Sequence, residues 1–169
     1  MTASARWPPC RWFFKPCKNH ARSINSDLII RPPSELFGRQ NGDAVIRGDF
    51  PHELATNAEP ENVDFILGGA GLLDCFQALV DGHQVSRPKP DPEVFLTAAQ
   101  RLGVDPTHCV VFEDSPGGMQ AARAAGARVV GLLTTLQEAP LADLSIPNFL
   151  DPGLLPWLQG LPTPSMPQR

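Results

Sequence analysis

The chain has 169 residues and a mass of 18.3 kDa, room for one domain rather than two. With 42% hydrophobic and 19% charged residues it is neither a disordered chain nor a membrane-spanning one, and its longest compact apolar run, the nine residues Phe65 to Leu73, falls short of the ~20 a spanning helix needs. The net charge of −4 divides unevenly, +4 over residues 1–50 and −8 over residues 51–169, so two compositions meet near residue 45.

The first 26 residues hold five basic residues, no acid, and the cluster Trp7, Pro8, Pro9, Trp12, Phe13, Phe14, Pro16. They have no helical or strand period, and their prolines forbid a long helix. A basic, acid-poor start suits a transit peptide or a nucleic-acid arm. Nucleic acid is not an expected partner, because the acidic remainder opposes it. Residues 1–44 therefore read as a poorly ordered, Pro-rich segment. Cys10, Cys17 and His20 lack the short Cys-x-x-Cys knuckle of a zinc site, and none is expected. Arg47-Gly48-Asp49 reads as the loop entering the next strand.

From Val45 onward, short apolar runs alternate with amphipathic segments, and residues 45–158 read as one core. Glu53 to Thr56 ends a short strand. Val63, Ile66, Leu67 and Ala70 share one face of a helix that stops near Gly71. Ala78 to Asp81 is a second strand. Asp91 caps, and Pro92 opens, a helix that buries Val94, Phe95, Ala98, Ala99 and Leu102 and closes at Gly103.

Cys109 to Phe112 is a continuous apolar run, the mark of a parallel strand covered on both faces. It ends in Glu113-Asp114, and Ser115-Pro116 begins a helix with the stripe Ala121, Ala122, Ala125. Val129 to Leu133 is a further buried strand. A last short helix is expected over Leu150 to Leu158, and residues 159–169 as a loose tail. Cys75 and Cys109 read as core packing; with no secretory leader, the four cysteines point to a reducing, cytoplasmic setting. The repetition predicts a three-layer α/β/α, Rossmann-like fold with a parallel sheet.

In such sheets functional groups gather at the carboxyl ends of the strands. Thr56 and Asn57 follow the first strand, Lys89 lies in the loop after the second, and Glu113 with Asp114 ends the third. A hydroxyl, an ammonium and two carboxylates on one edge suit a magnesium-held phosphoryl group. Each has a plainer reading: Thr56 as a β-former, Lys89 as a surface lysine, the acid pair as a helix cap. The cap role is already met by Ser115. Asp91 is left as a helix cap, and His83 as a polar loop residue that could face substrate.

Three segments also resemble the haloacid dehalogenase superfamily, nearest its branch with β-phosphoglucomutase and phosphoglycolate phosphatase. Val110-Val111-Phe112-Glu113-Asp114-Ser115-Pro116-Gly117-Gly118, continuing to Ala125-Gly126, is similar to the family's fourth motif. Arg87-Pro88-Lys89-Pro90-Asp91-Pro92 resembles the third, and Leu54-Ala55-Thr56-Asn57-Ala58 the second. The resemblance implies a Mg²⁺-dependent phosphatase or phosphomutase acting on a small phosphorylated metabolite. Thr56, with the Asn57 backbone, would bind the phosphoryl group, and Lys89 would stabilise charge on it. Asp114 and Glu113 would hold Mg²⁺.

The family's first motif, Asp-x-Asp-Gly, supplies the nucleophile and the general acid. No Asp-x-Asp occurs in this sequence, and the helical cap is absent too. The core is therefore expected to be incomplete at its first strand, which would lie mid-sheet. The gap leaves two facing rows of unpaired backbone groups and an oligomer through open edges as one outcome. Ser26-Asp27-Leu28-Ile29-Ile30 as a surrogate strand is the lesser alternative. Three functional readings follow: a C-terminal phosphatase core impaired on its own, a non-catalytic binding or interaction module, or an enzyme that recruits an aspartate from elsewhere.

Overall fold

The computed structural model describes residues 26–30, 37–40, 43–46, 52–70, 76 and 78–161. The aromatic-proline cluster, Cys10, Cys17, His20, Arg47-Gly48-Asp49, Cys75 and the tail beyond Leu161 lie outside the described residues.

A six-stranded sheet has the order β5-β4-β1-β6-β7-β8. The strands are β1 (Ser26–Ile30), β4 (His52–Thr56), β5 (Ala78–Val80), β6 (Val110–Glu113), β7 (Arg128–Leu132) and β8 (Leu144–Ile146). β4 pairs parallel with β5, and β6, β7 and β8 pair parallel in succession. β2 (Phe37–Gln40) and β3 (Asp43–Ile46) form a separate antiparallel pair, with Asn41-Gly42 between them in sequence.

Helices cover both faces. On one, α2 (Glu93–Leu102) and α3 (Pro116–Ala124) bury Val94, Phe95, Ala98, Met119, Ala121 and Ala122 against Ala55, Val80, Val111 and Val129. On the other, α1 (Pro60–Ala70) sets Val63 and Leu67 on Leu54, and α4 (Leu154–Gln159) sets Leu154 and Leu158 on Val110, Phe112, Val130 and Ile146. β6 is buried along its whole length because alternate residues serve opposite helix layers. Each fully buried valine or phenylalanine contributes about 1.5–3 kcal/mol. The alanine stripe lets α3 lie close to the sheet, and Cys109 is buried in the same core.

The helices α1, α2 and α3 lie where the apolar spacing puts them, with small shifts at their ends. Asp91 Oδ1 accepts from the Glu93 amide at 3.0 Å, so α2 starts one residue beyond Pro92. Gly103 closes it with φ of 65°, a left-handed conformation that glycine adopts without strain. The last helix begins at Leu154 rather than Leu150. Side chains of Asn148 and Asp151 accept from the amides of Leu150 and Gly153, and these local turns compete with helix before that point.

The position expected to be empty is spanned by β1. It pairs antiparallel with β4, Ser26 opposite Thr56 and Ile30 opposite His52. It pairs antiparallel with β6 as well, Leu28 opposite Phe112 and Ile30 opposite Val110. The sheet thus lacks a parallel first strand but is continuous, since a reversed strand satisfies both flanking rows of amides and carbonyls. The charge seam near residue 45 is accordingly not the edge of the sheet.

Candidate active site

β4, β6 and β7 run in one direction, so their carboxyl ends share one edge of the sheet. Thr56 closes β4 and is fully buried, with Oγ1 accepting from the Ala58 amide at 3.0 Å. That bond turns the chain sharply after the strand. Asn57 Oδ1 accepts from the Lys89 amide at 3.3 Å and ties the second loop to the first. Gly82 donates its amide to Ala58 O at 3.0 Å, and a Cβ there would lie 2.6 Å from Asn57 O. Only glycine permits that approach.

The Arg87–Asp91 loop is held from outside. Glu93 accepts from the amides of Ser86 and Arg87 at 2.9 and 3.0 Å, and Arg87 Nη1 pairs with Asp91 Oδ2 at 3.4 Å. The hydrogen bond from Ser86, with those from Arg87, holds the Glu93 carboxyl below its usual range. So braced, the loop sends Lys89 inward, leaving 6% of its side chain exposed. Its Nζ is 3.4 Å from Ala55 O, 3.6 Å from Glu113 Oε2 and 5.0 Å from the Phe95 ring centroid.

Glu113 ends β6 and is buried beneath the start of α3. Ser115 links it to the helix: the Ser115 amide and hydroxyl donate to Glu113 Oε1 at 3.0 and 2.5 Å, while Ser115 Oγ accepts from the Gly118 amide at 3.1 Å. Burial lowers Lys89 to about 7, against the pull of Asp114, and raises Glu113 to about 7 despite the Ser115 hydrogen bonds. The pair is neutral overall whichever partner holds the proton.

Asp114 is half-buried and follows Glu113 at the edge. Thr134 Oγ1 donates to its Oδ2 and Thr135 Oγ1 to its backbone oxygen, each at 3.2 Å. Its Oδ1 has no hydrogen-bond partner among the described residues. Mg²⁺ is commonly held by one or two carboxylates, with water and substrate phosphate completing the shell. Asp114 fits that habit. Glu113 is engaged in the interior instead, with Ser115 on one oxygen and the Lys89 ammonium near the other. Among the described residues no cluster of three His, Cys, Asp or Glu side chains could cage a metal.

The structure therefore joins Asn57, Lys89 and Glu113 through the contacts above, with Thr56 just before Asn57 in the chain and Asp114 just after Glu113. His83 instead pairs with Glu59 on an exposed rim, and Asp91 serves its loop and helix. Sequence reasoning missed Thr134 and Thr135, whose only signal was their place just after a buried strand. It also missed Glu53, a wholly buried carboxyl on β4 with neither oxygen hydrogen-bonded among the described residues. By backbone register Asp27 of β1 lies opposite Ala55, whose carbonyl accepts from Lys89.

Residues 47–126 match the model of the haloacid dehalogenase-like hydrolases. Over that segment, a little under half of its length, the chain is similar to the haloacid dehalogenase superfamily. The haloacid dehalogenase match takes in Thr56, Lys89, Glu113 and Asp114 together. Fructose-1-phosphate phosphatase YqaB of Escherichia coli is 47% identical over 79 residues, which cover 47% of this chain and 42% of that one. β-Phosphoglucomutase of Bacillus subtilis is 41% identical over 80 residues, 47% of this chain and 35% of that one. The crystal structure of CbbY from Rhodobacter sphaeroides in complex with phosphate aligns with a TM-score of 0.53 at 30% identity, covering 59% of this chain and 47% of that one. The chain thus spans less than half the length of each of these haloacid dehalogenase relatives.

Proposed function

We propose that this chain is a phosphoester-hydrolase core that binds a small phosphorylated metabolite at the Thr56–Lys89–Asp114 edge, with turnover impaired by the missing Asp-x-Asp motif. The observation that carries the reading is that the end of β4 (Thr56), the Arg87–Asp91 loop (Lys89) and the residue after β6 (Asp114) lie at one sheet edge. Lys89 supplies positive charge against phosphoryl oxygens, Thr56 a hydroxyl, and the Asn57 side chain fixes the loop that presents Lys89. Asp114 would hold Mg²⁺, whose contribution is to neutralise phosphoryl charge. A cytoplasmic setting is part of the proposal; no helix among the described residues is long and apolar enough to cross a membrane.

One observation favours a second reading, in which the chain is a working enzyme. β1 brings Asp27 by register to the residue opposite Ala55, at the lysine end of the sheet. In that reading an Asp27 carboxylate oxygen bonds to phosphorus as the ester P–O bond breaks. The leaving alkoxide takes a proton from solvent, and water then frees phosphate and restores the aspartate. The alternative of a non-catalytic binding module shares the site and lacks this step.

The test is Mg²⁺-dependent phosphate release from an aryl phosphate by the full chain, beside Asp114→Ala and Asp27→Asn. The impaired core predicts background release from all three, with tungstate, a phosphate mimic, bound by the unaltered chain. Release that vanishes in both variants establishes the working enzyme and overturns impairment. Background release without tungstate binding overturns the phosphoryl site itself.

A further inference from the structure

Asp114 is held by two hydroxyls from the loop that follows a different strand. β7 ends at Leu132, parallel to β6, so the residues that follow it emerge on the same edge as Asp114. Thr134 and Thr135 are both exposed, yet both hydroxyls turn onto this one residue, 3.2 Å from Oδ2 and 3.2 Å from the backbone oxygen.

Their loop is anchored well beyond the two hydrogen bonds. Leu133 donates its amide to Ile146 O at 2.9 Å, and Arg123 Nη1 donates to Leu141 O at 3.0 Å. Asp143 Oδ2 accepts from the Val129 amide at 2.8 Å. Ala139 is buried over Gly131, where an added Cβ would lie 2.5 Å from the Ala139 methyl. The threonines are therefore presented from a loop fixed at its base, and a fixed donor selects one carboxylate orientation.

We propose that Thr134 and Thr135 are positioning residues that orient Asp114 for a divalent cation. The inference rests on the metal role given to Asp114 above. Thr134 occupies Oδ2 and leaves Oδ1 as the ligand atom, while Thr135 fixes the backbone from which the carboxylate projects. Groups that hydrogen-bond a metal-ligating carboxylate preorganise it, and losing one typically weakens metal binding ~10–100-fold.

The test is Mn²⁺ binding to the full chain, followed by loss of the electron paramagnetic resonance signal of the free aqueous ion. Thr134→Val keeps shape and removes the hydroxyl; it should weaken binding ~10-fold, while Thr134→Ser stays within about twofold. Thr135→Val is the second variant, with an intermediate loss expected, and thermal melts of each serve as folding controls. Val and Ser variants binding equally, with Asp114→Ala still abolishing binding, overturn the clamp and spare the metal role. No binding by the unaltered chain, or binding unchanged by Asp114→Ala, overturns the metal role and the clamp with it.

Discussion

Lys89 Nζ lies 3.6 Å from Glu113 Oε2, and the two side chains are only 6% and 0% exposed. One comes from a proline-bounded loop and the other from the end of β6, so the pair fastens two of the three motif segments inside the protein. Removing one partner from a buried ion pair is far costlier than removing both, because the survivor keeps its desolvation cost without the opposite charge.

Lys89→Met is expected to cost about 3 kcal/mol, Glu113→Gln a similar amount, and the double variant clearly less than their sum. Urea denaturation of the four proteins gives the coupling directly. Strict additivity would mean that the two groups do not interact.

Stability should fall with rising pH through Glu53. Burial raises its carboxyl to about 7, against the nearby Arg101, from the usual 4.5. The folded chain thus holds a proton that the unfolded chain releases, so the favourable contribution is complete below 4.5 and lost as pH rises through 7. Glu53→Gln, which cannot ionise, should match the unaltered chain at about pH 4 and exceed it by on the order of 1–3 kcal/mol at about pH 8. Denaturant midpoints at the two pH values decide it.

Two adjacent glycines should respond differently to alanine. A Cβ at Gly118 would lie 2.1 Å from Glu113 Cδ, whereas at Gly117 nothing comes within 4 Å. Gly118→Ala should destabilise by about 2 kcal/mol through overpacking, and Gly117→Ala should be neutral or stabilise by up to ~1 kcal/mol as a better helix former. Thermal unfolding of the pair tests this.

Ile29→Pro interrupts β1 where it lies between β4 and β6, removing a backbone donor from the middle of the sheet. The flanking strands would then face each other unpaired. The variant should shift to oligomers or aggregate at concentrations where the unaltered chain keeps its size, as light scattering coupled to gel filtration would record.

The core from β4 to β7 was legible because its signals are local: continuous apolar runs, alanines at helical spacing, and proline, serine and glycine at helix ends. Lys89, Glu113 and Asp114 stood out because their neighbours are so constrained. β1 was read as the lesser alternative, since five residues in a basic, proline-rich context give no sign of what they pair with. β8 was missed because three residues in a proline-rich stretch have no measurable period. Thr134 and Thr135 were invisible because a hydroxyl's partner across the edge is a tertiary fact, absent from their own segment.

The reversal of β1 also decides where the chain enters and leaves the sheet. Ile30 lies level with His52 and with Val110, at the ends of β4 and β6 remote from Thr56 and Asp114. The connection from β1 to β4, which encodes the β2–β3 pair, therefore departs and returns at the end of the sheet opposite Thr56 and Asp114. A parallel strand in that position would release its chain at the edge that carries Thr56 and Asp114, where an insertion becomes a lid. Here sequence can lengthen or shorten between β1 and β4 without any obligation to pass over the edge that carries Thr56 and Asp114, so that changes in connection length and changes at that edge fall at separate ends of the sheet.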